Sequence, residues 1–270
     1  MTRIFFAGAD AHYKGLVKYG VKDTLMSFYY LYGKKNYLAP SNLKNVFFMQ
    51  REGCRIFLDS GAHTLQDGGG GKSRSCDLDE YMEKYIHFLK KYKNCFEVYV
   101  ELDVEDAFGL KKVNSMYENM VDEGLNPLRV WHTERGYKNW DEETIKHDYI
   151  GIGKFTELPV PILMKLLQTA EKNNCRVHGF GCTKPSLLKI LPFYTVDSSS
   201  WMAGEKFGAI DIFSKGRITH VAKSAKGKRM NLHYKRIRDF NLRQWVQFQK
   251  FIGEYWKGKA YWNKEVKTEV

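Results

Sequence analysis

Strand-like apolar runs alternate with helical patterns along this 270-residue chain. This alternation restricts the possible folds more than any other feature of the sequence. Successive strand-plus-helix units build a parallel sheet covered by helices. Helices are predicted over 79–92 and 160–172, where apolar residues recur at helical spacing, and the run 26–32 is expected to be a buried helix face. Strands are predicted at 4–7, 55–58, 96–102, 128–131, 149–152, 176–180 and 194–196, with an eighth at either 209–213 or 218–221.

Seven or eight such units in a chain of this length predict an α/β protein with a (β/α)8 TIM-like barrel in a single domain. An open, doubly wound sheet is the alternative, because periodicity does not distinguish a closed sheet from an open one. We expect residues 1–214 to form the catalytic barrel. Residues 215–270 are expected to form a basic, aromatic-rich extension that completes the barrel and binds nucleic acid.

Small and ionisable residues follow most of the predicted strands. Asp59 comes directly after 55–58, and Asp197 comes directly after 194–196. A single aspartate at such a place is often a helix N-cap or a turn residue. In a parallel barrel, however, the strand ends converge on one face, so the two carboxylates could share a pocket. Two facing carboxylates suggest chemistry at a glycosidic carbon. The turn 7–10 is either a substrate loop or simply the first turn between strand and helix.

The positive charge of the chain is concentrated at its C-terminal end. Of the net charge of +12, residues 215–270 carry +11, with 15 Lys and Arg against four Asp and Glu. Tyr and Trp residues are interleaved with these charges, a pattern typical of contact with a nucleic-acid backbone. A solvated basic helix face is the alternative interpretation. The expected nucleic-acid-binding residues are Lys228, Arg229, Lys235, Arg236 and Arg238.

Several classes of protein are not indicated. No apolar run approaches the roughly 18 residues of a membrane span, and no cleavable signal opens the chain, so we expect a cytoplasmic protein without membrane contact. The five cysteines are scattered and never form a Cys-x-x-Cys pair, which argues against a disulfide framework or a zinc knuckle. His63 and His178 are expected to be structural, since no hydroxyl or thiol nucleophile pairs with them at a recognised spacing.

Four segments, in order, resemble those of the tRNA-guanine transglycosylase superfamily. The segment 56–62 looks like the family's Asp-Ser-Gly-Gly motif, with Ala62 in place of the second glycine. The segment 98–103 is similar to the next apolar strand, which ends in an aspartate that reads the base. The segment 180–188 loosely resembles a glycine-rich turn, and 196–201 resembles the Phe-Asp-Ser-Ala-Ser-Tyr form of the nucleophile strand.

The resemblance implies a pentosyltransferase that exchanges guanine in a polynucleotide for a free 7-deazaguanine, such as 7-cyano-7-deazaguanine, through a covalent intermediate. Asp197 would be the nucleophile at C1′, and Asp59 the general acid and base that moves the proton of the purine. Asp103 would accept hydrogen bonds from the donor edge of guanine. The further base-binding residues implied are Ser60, Gly61, Gly151, Gly153 and His132, the last standing where the family uses Gln.

The chain also departs from the family members that act on tRNA. Those proteins carry a zinc subdomain with several cysteines after the nucleophile strand, whereas no cysteine follows Cys182 here. We therefore expect no metal site of that type and no cofactor. A compact, zinc-free chain resembles the branch that modifies DNA, including virus-encoded enzymes, for which the compartment would be the host cytoplasm.

DNA is thus the expected partner, and tRNA is the alternative. A homodimer is compatible with the sequence. Two other functions remain open from the residues alone: a barrel that binds nucleic acid without catalysis, and a glycosylase that removes a DNA base and leaves an abasic site.

Overall fold

The computed structural model describes residues 2–66, 77–154, 158–182, 184–204, 209–221 and 234–260. The strands are β1 (Arg3–Ala7), β2 (Asp23–Ser27), β3 (Arg55–Asp59), β4 (Val98–Tyr99), β5 (Arg129–Trp131), β6 (Tyr149–Ile152), β7 (Arg176–Gly179), β8 (Thr195–Ser198), β9 (Ile210–Ser214) and β10 (Arg217–Val221). The α-helices are α1 (Ala9–Lys18), α2 (Tyr29–Tyr32), α3 (Lys44–Arg51), α4 (Ala62–Gln66), α5 (Leu78–Tyr92), α6 (Glu105–Asp122), α7 (Gly136–Lys146), α8 (Val160–Lys172), α9 (Pro185–Leu188) and α10 (Tyr234–Trp256). Short 3-10 helices cover Pro40–Leu43, Lys93–Cys95, Thr133–Arg135 and Ser200–Met202.

The first eight strands are parallel and alternate with helices, as in a (β/α)8 TIM-like barrel. Their order in the sheet is β4, β3, β2, β1, β8, β7, β6, β5. A parallel bridge between Val100 and Leu128 joins the residues that follow β4 to those that precede β5. The predicted (β/α)8 fold is therefore confirmed. No helix in the described part of the chain is long and apolar enough to cross a membrane.

The chain divides into two compact units. Unit 1 comprises Met1–Phe6, Lys18–Val21 and Trp131–Val270, and unit 2 comprises Ala7–Val17 and Lys22–Val130. This division follows packing alone, and the predicted boundary at residue 214 between a catalytic part and a nucleic-acid-binding part stays a prediction.

In unit 2, β2 pairs with β3 from Asp23↔Arg55 to Ser27↔Asp59, and β3 pairs with β4. Residues 56–58 of β3 are fully buried, as expected of a parallel strand covered on both faces. Helix α5 begins at an N-cap, where the Asp77 side chain accepts hydrogen bonds from the N–H groups of Asp79 and Glu80. The buried Phe28 ring packs against the aromatic rings of α5, with centroids 4.9–5.3 Å apart.

In unit 1, β8 pairs with β1 on one side and with β7 on the other, and β7 pairs with β6. Helix α10 packs on β9 through buried side chains that include Trp245. The indole N–H of Trp245 donates to the buried carboxylate of Asp211 at 2.8 Å, and the Asn241 side chain accepts from the Asp211 N–H at 2.9 Å. These polar contacts attach the basic C-terminal helix to β9.

The eighth strand of the barrel differs from the prediction. It is β2, over Asp23–Ser27, and neither 209–213 nor 218–221 belongs to the parallel sheet. Those two segments form the antiparallel hairpin β9–β10. Lys215 and Gly216 join the two strands with φ angles of 48° and 73°, the pair of positive values that a type I′ turn requires.

The run 26–32 is also corrected. Met26 and Ser27 end β2, and only Tyr29–Tyr32 is helical. All five residues of β2 are buried, so the strand lacks the alternation of buried and exposed positions that marks a strand in a sequence. The predicted strand 96–102 is regular only over Val98–Tyr99. Helix 160–172 agrees with the prediction at both ends.

Candidate functional site

Asp197 lies on β8, where it is opposite Phe5 of β1 in the strand register. Its side chain is 14% exposed. The Gly181 N–H donates to Asp197 Oδ1 at 2.7 Å, and His178 Nε2 lies 3.3 Å from the same oxygen. Gly181 has a φ of 67° and lies in the turn after β7. This turn belongs to the segment 180–188, which resembles a glycine-rich turn of the transglycosylase superfamily. One carboxylate oxygen is thus held by two groups from the neighbouring strand end.

A chain of hydrogen bonds continues from His178 into the sheet. His178 Nδ1 lies 2.7 Å from Thr195 Oγ1, which in turn contacts the hydroxyl of Tyr149. A carboxylate can only accept, so the neutral imidazole must carry its proton on Nε2 and donate it to Asp197. Nδ1 then accepts the Thr195 hydroxyl proton, and Thr195 accepts from Tyr149. The chain therefore runs in one direction and fixes the His178 tautomer.

The electrostatics of His178 agree with this assignment. Burial lowers the pKa of His178 below its ordinary value of 6.5, and the hydrogen bond and charge of Asp197 only partly oppose that shift. The imidazole is therefore neutral at pH 7. Since the unfolded chain takes up this proton first as the pH falls below 6.5, protonation of His178 costs folding stability in acid.

In unit 2, Asp59 is the last residue of β3, as the sequence predicted. Its Oδ2 accepts from the Gly61 N–H at 3.1 Å, and its backbone carbonyl accepts from the Phe28 N–H at 2.9 Å. Ser60 is buried, and its carbonyl accepts from the Tyr81 hydroxyl at 2.5 Å. The Asp59-Ser60-Gly61 turn is thus held rigidly from two sides.

Gly61 stands at a crowded position in this turn. Its φ is +88°, and an added Cβ would lie 2.7 Å from both Tyr29 Cβ and the Tyr81 hydroxyl. Gly61→Ala is expected to lower the free energy of unfolding by about 3 kcal/mol, from overpacking together with an unfavourable φ. Gly124, with a φ of +74° and nothing within 4 Å, is the matched control: Gly124→Ala should cost only about 1 kcal/mol. Equal costs in urea unfolding of the two variants would contradict the crowded turn.

Asp10 is a second carboxyl beside Asp59, and sequence analysis left its role open. It lies in the first turn of α1, after Gly8 with a φ of 91°, and its Oδ2 accepts from the Ser27 N–H at 3.3 Å. Ser27 stands opposite Asp59 in the β2–β3 register. Burial raises the pKa of Asp10 to about 7, and the Asp59 charge adds to that shift. Asp10 therefore changes its protonation state near neutral pH.

Ser27 adds a polar atom to this carboxyl pair. The residue is 8% exposed, and its Oγ has no hydrogen-bond partner among the described residues. A buried hydroxyl left without a partner is costly, and such groups are often satisfied by a ligand or a bound water.

The glycines predicted to face a base pack against side-chain rings. A Cβ on Gly151 would lie 2.4 Å from the Phe180 ring, and one on Gly153 would lie 2.2 Å from the His132 ring. The Gly153 N–H already donates to the Trp131 carbonyl at 2.9 Å. These rings explain why glycine stands at both positions. Base binding by Gly151, Gly153 and the buried His132 stays a prediction.

Asp103 follows β4 at the end of the segment 98–103. This segment contains a second carboxylate, Glu101, which has a structural role. Glu101 is 1% exposed and pairs with Arg129 at 2.5 Å, while its second oxygen accepts from the Val130 N–H at 2.6 Å. Asp103 is only partly buried. Of the two acidic side chains, Asp103 is thus the one with access to a ligand, and its predicted role in reading the base stays a prediction.

The predicted basic residues are only partly described. Lys228 and Arg229 lie outside the described residues. Lys235 and Arg236 are exposed in the first turns of α10, whereas the Arg238 side chain is 19% exposed, with its Nε 4.0 Å from Asp239 Oδ1. Two of the five predicted cations are therefore shown to be open to solvent.

The described residues thus form two clusters, one in each unit. Asp197 is in unit 1 with His178, Thr195 and Tyr149, and Asp59 is in unit 2 with Asp10. The sequence predicted a structural role for His178 and left open whether the turn that contains Asp10 is a substrate loop. A signal for His178 was present, because a histidine in the middle of the short strand Arg176–Gly179 is an unusual core residue.

Comparison with known proteins supports the fold. No family model and no curated protein matches the chain. A Coccidioides immitis protein assigned as a fructose-1,6-biphosphate aldolase has a similar structure, with a TM-score of 0.52 over 94% of this chain and 89% of that chain, at 10% identity. A GH113 β-1,4-mannanase matches with a TM-score of 0.39 over 69% of this chain and 74% of that one, at 14% identity. The aldolase-type structure supports the (β/α)8 fold alone.

Proposed function

We propose that this chain is a guanine transglycosylase that exchanges guanine in DNA for a free 7-deazaguanine through a covalent intermediate on Asp197. The observation that carries the proposal is the way Asp197 is held. Its Oδ1 receives the Gly181 N–H at 2.7 Å and faces a neutral His178 at 3.3 Å. This carboxylate stands at the end of a barrel strand, where the active sites of this fold are built.

The proposed reaction has two balanced steps. In the first, an oxygen of Asp197 bonds to C1′ of the nucleotide while the bond from C1′ to guanine N9 breaks, and the departing guanine takes up one proton. In the second, the incoming 7-deazaguanine loses a proton, its N9 bonds to C1′, and the ester to Asp197 breaks. A carboxylate suits both steps, because it stabilises the positive charge that develops at C1′ and can also leave.

The two carboxylate oxygens of Asp197 have different surroundings. Within the described part of the chain, both hydrogen bonds to Asp197 reach Oδ1. Oδ2 is therefore the oxygen that attacks. In the second step, the donors on Oδ1 stabilise the carboxylate as it leaves, since charge returns to it.

His178 acts in this scheme as a positioning residue. As a donor fixed by Thr195 and Tyr149, it holds the carboxylate without exchanging a proton with it. Its full burial keeps the imidazole neutral, so that it donates to Asp197 Oδ1 without placing a positive charge beside the attacking carboxylate.

Asp59 supplies the proton, with Asp10 beside it as the reservoir. Below pH of about 7, the pair holds a proton because the pKa of Asp10 is raised by burial and by the Asp59 charge. Asp59 delivers this proton to the departing guanine, and the incoming base returns one. The Ser27 hydroxyl is a further donor or acceptor for the purine.

A stacked guanine in a duplex does not expose C1′ to a carboxylate, so the nucleotide must be flipped out or single-stranded.

The experiment that tests the proposal is incorporation of labelled guanine, run in parallel on duplex DNA, single-stranded DNA and tRNA. Incorporation into DNA above the tRNA level supports it. Incorporation into tRNA alone would move the substrate to tRNA, and abasic sites without incorporation would replace exchange by base removal.

Loss of the His178 side chain is expected to slow exchange, because Asp197 would then lose one of its two hydrogen bonds. His178→Ala should lower kcat for exchange by about 10- to 100-fold, the effect of losing a hydrogen bond to a charged group, worth about 1.5–3 kcal/mol. Thr195→Val should lower kcat less, because the tautomer is no longer fixed but the imidazole remains.

Thr195→Ser keeps the hydroxyl and is the matched control, with activity close to the wild-type rate. The KM for free base should be unchanged in all three variants. Should Thr195→Ser lose as much activity as Thr195→Val, the hydroxyl would have no role in fixing the tautomer.

A further inference from the structure

Unit 1 contains a cleft that the proposed chemistry does not use. It has a volume of about 520 Å³ and lies between α9 with its preceding residue and the β9–β10 hairpin. Lys184, Lys189, Arg217 and His220 line it, together with Ile190 and Ile218. None of its described lining residues is acidic.

The cations of the cleft are available to a ligand. Lys184 and Arg217 are exposed, whereas Lys189 is partly buried and its Nζ lies 6.0 Å from the centroid of the Phe251 ring. None of the three forms an ion pair within the described part of the chain. His220 contacts the Asp211 carboxylate at 2.6 Å. Three uncompensated positive charges around one concave surface attract a polyanion.

The cleft is not a purely polar anion site. Ile190 is 48% exposed and Ile218 is partly exposed, so apolar side chains stand beside the cations. A free inorganic anion gains nothing from such walls, whereas a nucleotide offers both a charged phosphate and an apolar sugar or base face. The mixture favours a nucleic-acid strand over a small anion.

The position of the cleft in the chain connects it to Asp197. Gly181, whose N–H holds Asp197 Oδ1, precedes Lys184 by three residues, a span of at most about 11 Å. A strand whose target nucleotide lies at Asp197 would bring its neighbouring phosphates to this side of unit 1.

We propose that this cleft binds the phosphodiester backbone next to the nucleotide that reacts at Asp197. The inference deepens the proposed function and rests on it for the identity of the strand. Lys184 and Arg217 contact phosphates, and Ile190 and Ile218 contact the sugar. These contacts position the strand and carry no sequence preference.

The test measures equilibrium binding of a fluorescein-labelled single-stranded DNA by anisotropy, at several KCl concentrations and without free base. The cleft variant Lys184→Gln/Arg217→Gln is compared with Lys138→Gln/Lys172→Gln, which removes the same charge from exposed positions of α7 and α8. We expect the cleft variant to bind at least about tenfold more weakly, and its slope of log K against log salt to be less negative by about 1.4. The control variant should bind within about twofold of the wild type.

Equal binding by the cleft and control variants would overturn the inference. Thermal melting of each variant establishes that it folds, and Lys184→Gln alone, an exposed change outside the strands and helices, replaces the double variant if that one does not. Because binding is measured without exchange, the two proposals fail separately. If the wild type shows no exchange activity but the cleft variant binds DNA more weakly than the wild type, the transglycosylase proposal is rejected and the cleft proposal stands. Exchange with unchanged binding would reject the cleft alone.

Discussion

Asp197→Asn is expected to abolish base exchange, lowering kcat by about 10⁴-fold or more, as removal of a nucleophile does in other covalent mechanisms. Asparagine has the shape of aspartate, and its amide oxygen can still accept the Gly181 N–H that now reaches Oδ1. What is lost is the charge and the nucleophilic oxygen at C1′. The measurement is the initial rate of labelled-guanine incorporation into DNA.

Asp148→Asn is the matched control for this variant. Asp148 is 82% exposed and pairs on the surface with Arg176 at 2.8 Å, so its replacement should leave the rate unchanged. An Asp197→Asn protein that keeps most of the wild-type rate would remove Asp197 from the chemistry, whatever the fate of the other residues.

Asp59→Asn is expected to have the second largest effect, lowering kcat by about 10²- to 10⁴-fold, the contribution of general acid–base catalysis.

The pH dependence of the exchange rate tests whether Asp10 is the proton-sharing partner of Asp59. Because the pKa of Asp10 is about 7, exchange in the wild type should decline as the pH rises through 7 and the proton of the pair is lost. In Asp10→Asn this alkaline decline should disappear, and an unchanged pH profile would exclude Asp10 from the proton transfer.

Folding stability provides an independent readout of Asp10. Its pKa is raised in the folded protein from 3.8 to about 7, so between these pH values the folded chain keeps a proton that the unfolded chain has released. Wild-type stability therefore falls as the pH rises through that range and levels off above 7. Asp10→Asn should escape this loss and be more stable than the wild type at pH 8, by about 2–4 kcal/mol in urea unfolding.

The barrel could be predicted from the sequence because most of its strands carry a local signal. Residues 149–152 and 176–180, for example, are short runs bounded by polar residues and followed by small ones, and their strands appear at the predicted places. β2 could not be found this way. Asp23-Thr24-Leu25-Met26-Ser27 has no β-branched run, and its burial on both faces comes from packing in the finished sheet.

The hairpin β9–β10 shows the opposite error. Ile210, Ile212, Ile218 and Val221 have strong strand propensity, yet the strands pair with each other outside the barrel. The turn at Lys215 and Gly216 was the discriminating signal, since a two-residue turn with glycine joins antiparallel neighbours and cannot connect parallel strands.

The positions of the candidate site residues could be predicted from the sequence, whereas their contacts could not. Asp59 and Asp197 stand near strand ends as predicted, because a short motif reports local structure. The contacts on which their proposed roles depend are between residues distant in sequence, such as Asp197 with His178, and Asp10 with Ser27 beside Asp59. The raised pKa of Asp10 depends on burial, which the residue type alone does not reveal.

The proposed covalent intermediate on Asp197 can be tested directly by trapping it. Wild-type protein is incubated with single-stranded DNA without free base, denatured, and analysed by denaturing gel and by mass spectrometry of the peptide that contains Asp197. We predict a denaturation-resistant protein–DNA species in which the DNA is attached at Asp197. This species should be absent in Asp197→Asn, and added free guanine should release the DNA from the protein. Base exchange without any such species, or attachment at another residue, would rule out a covalent intermediate on Asp197.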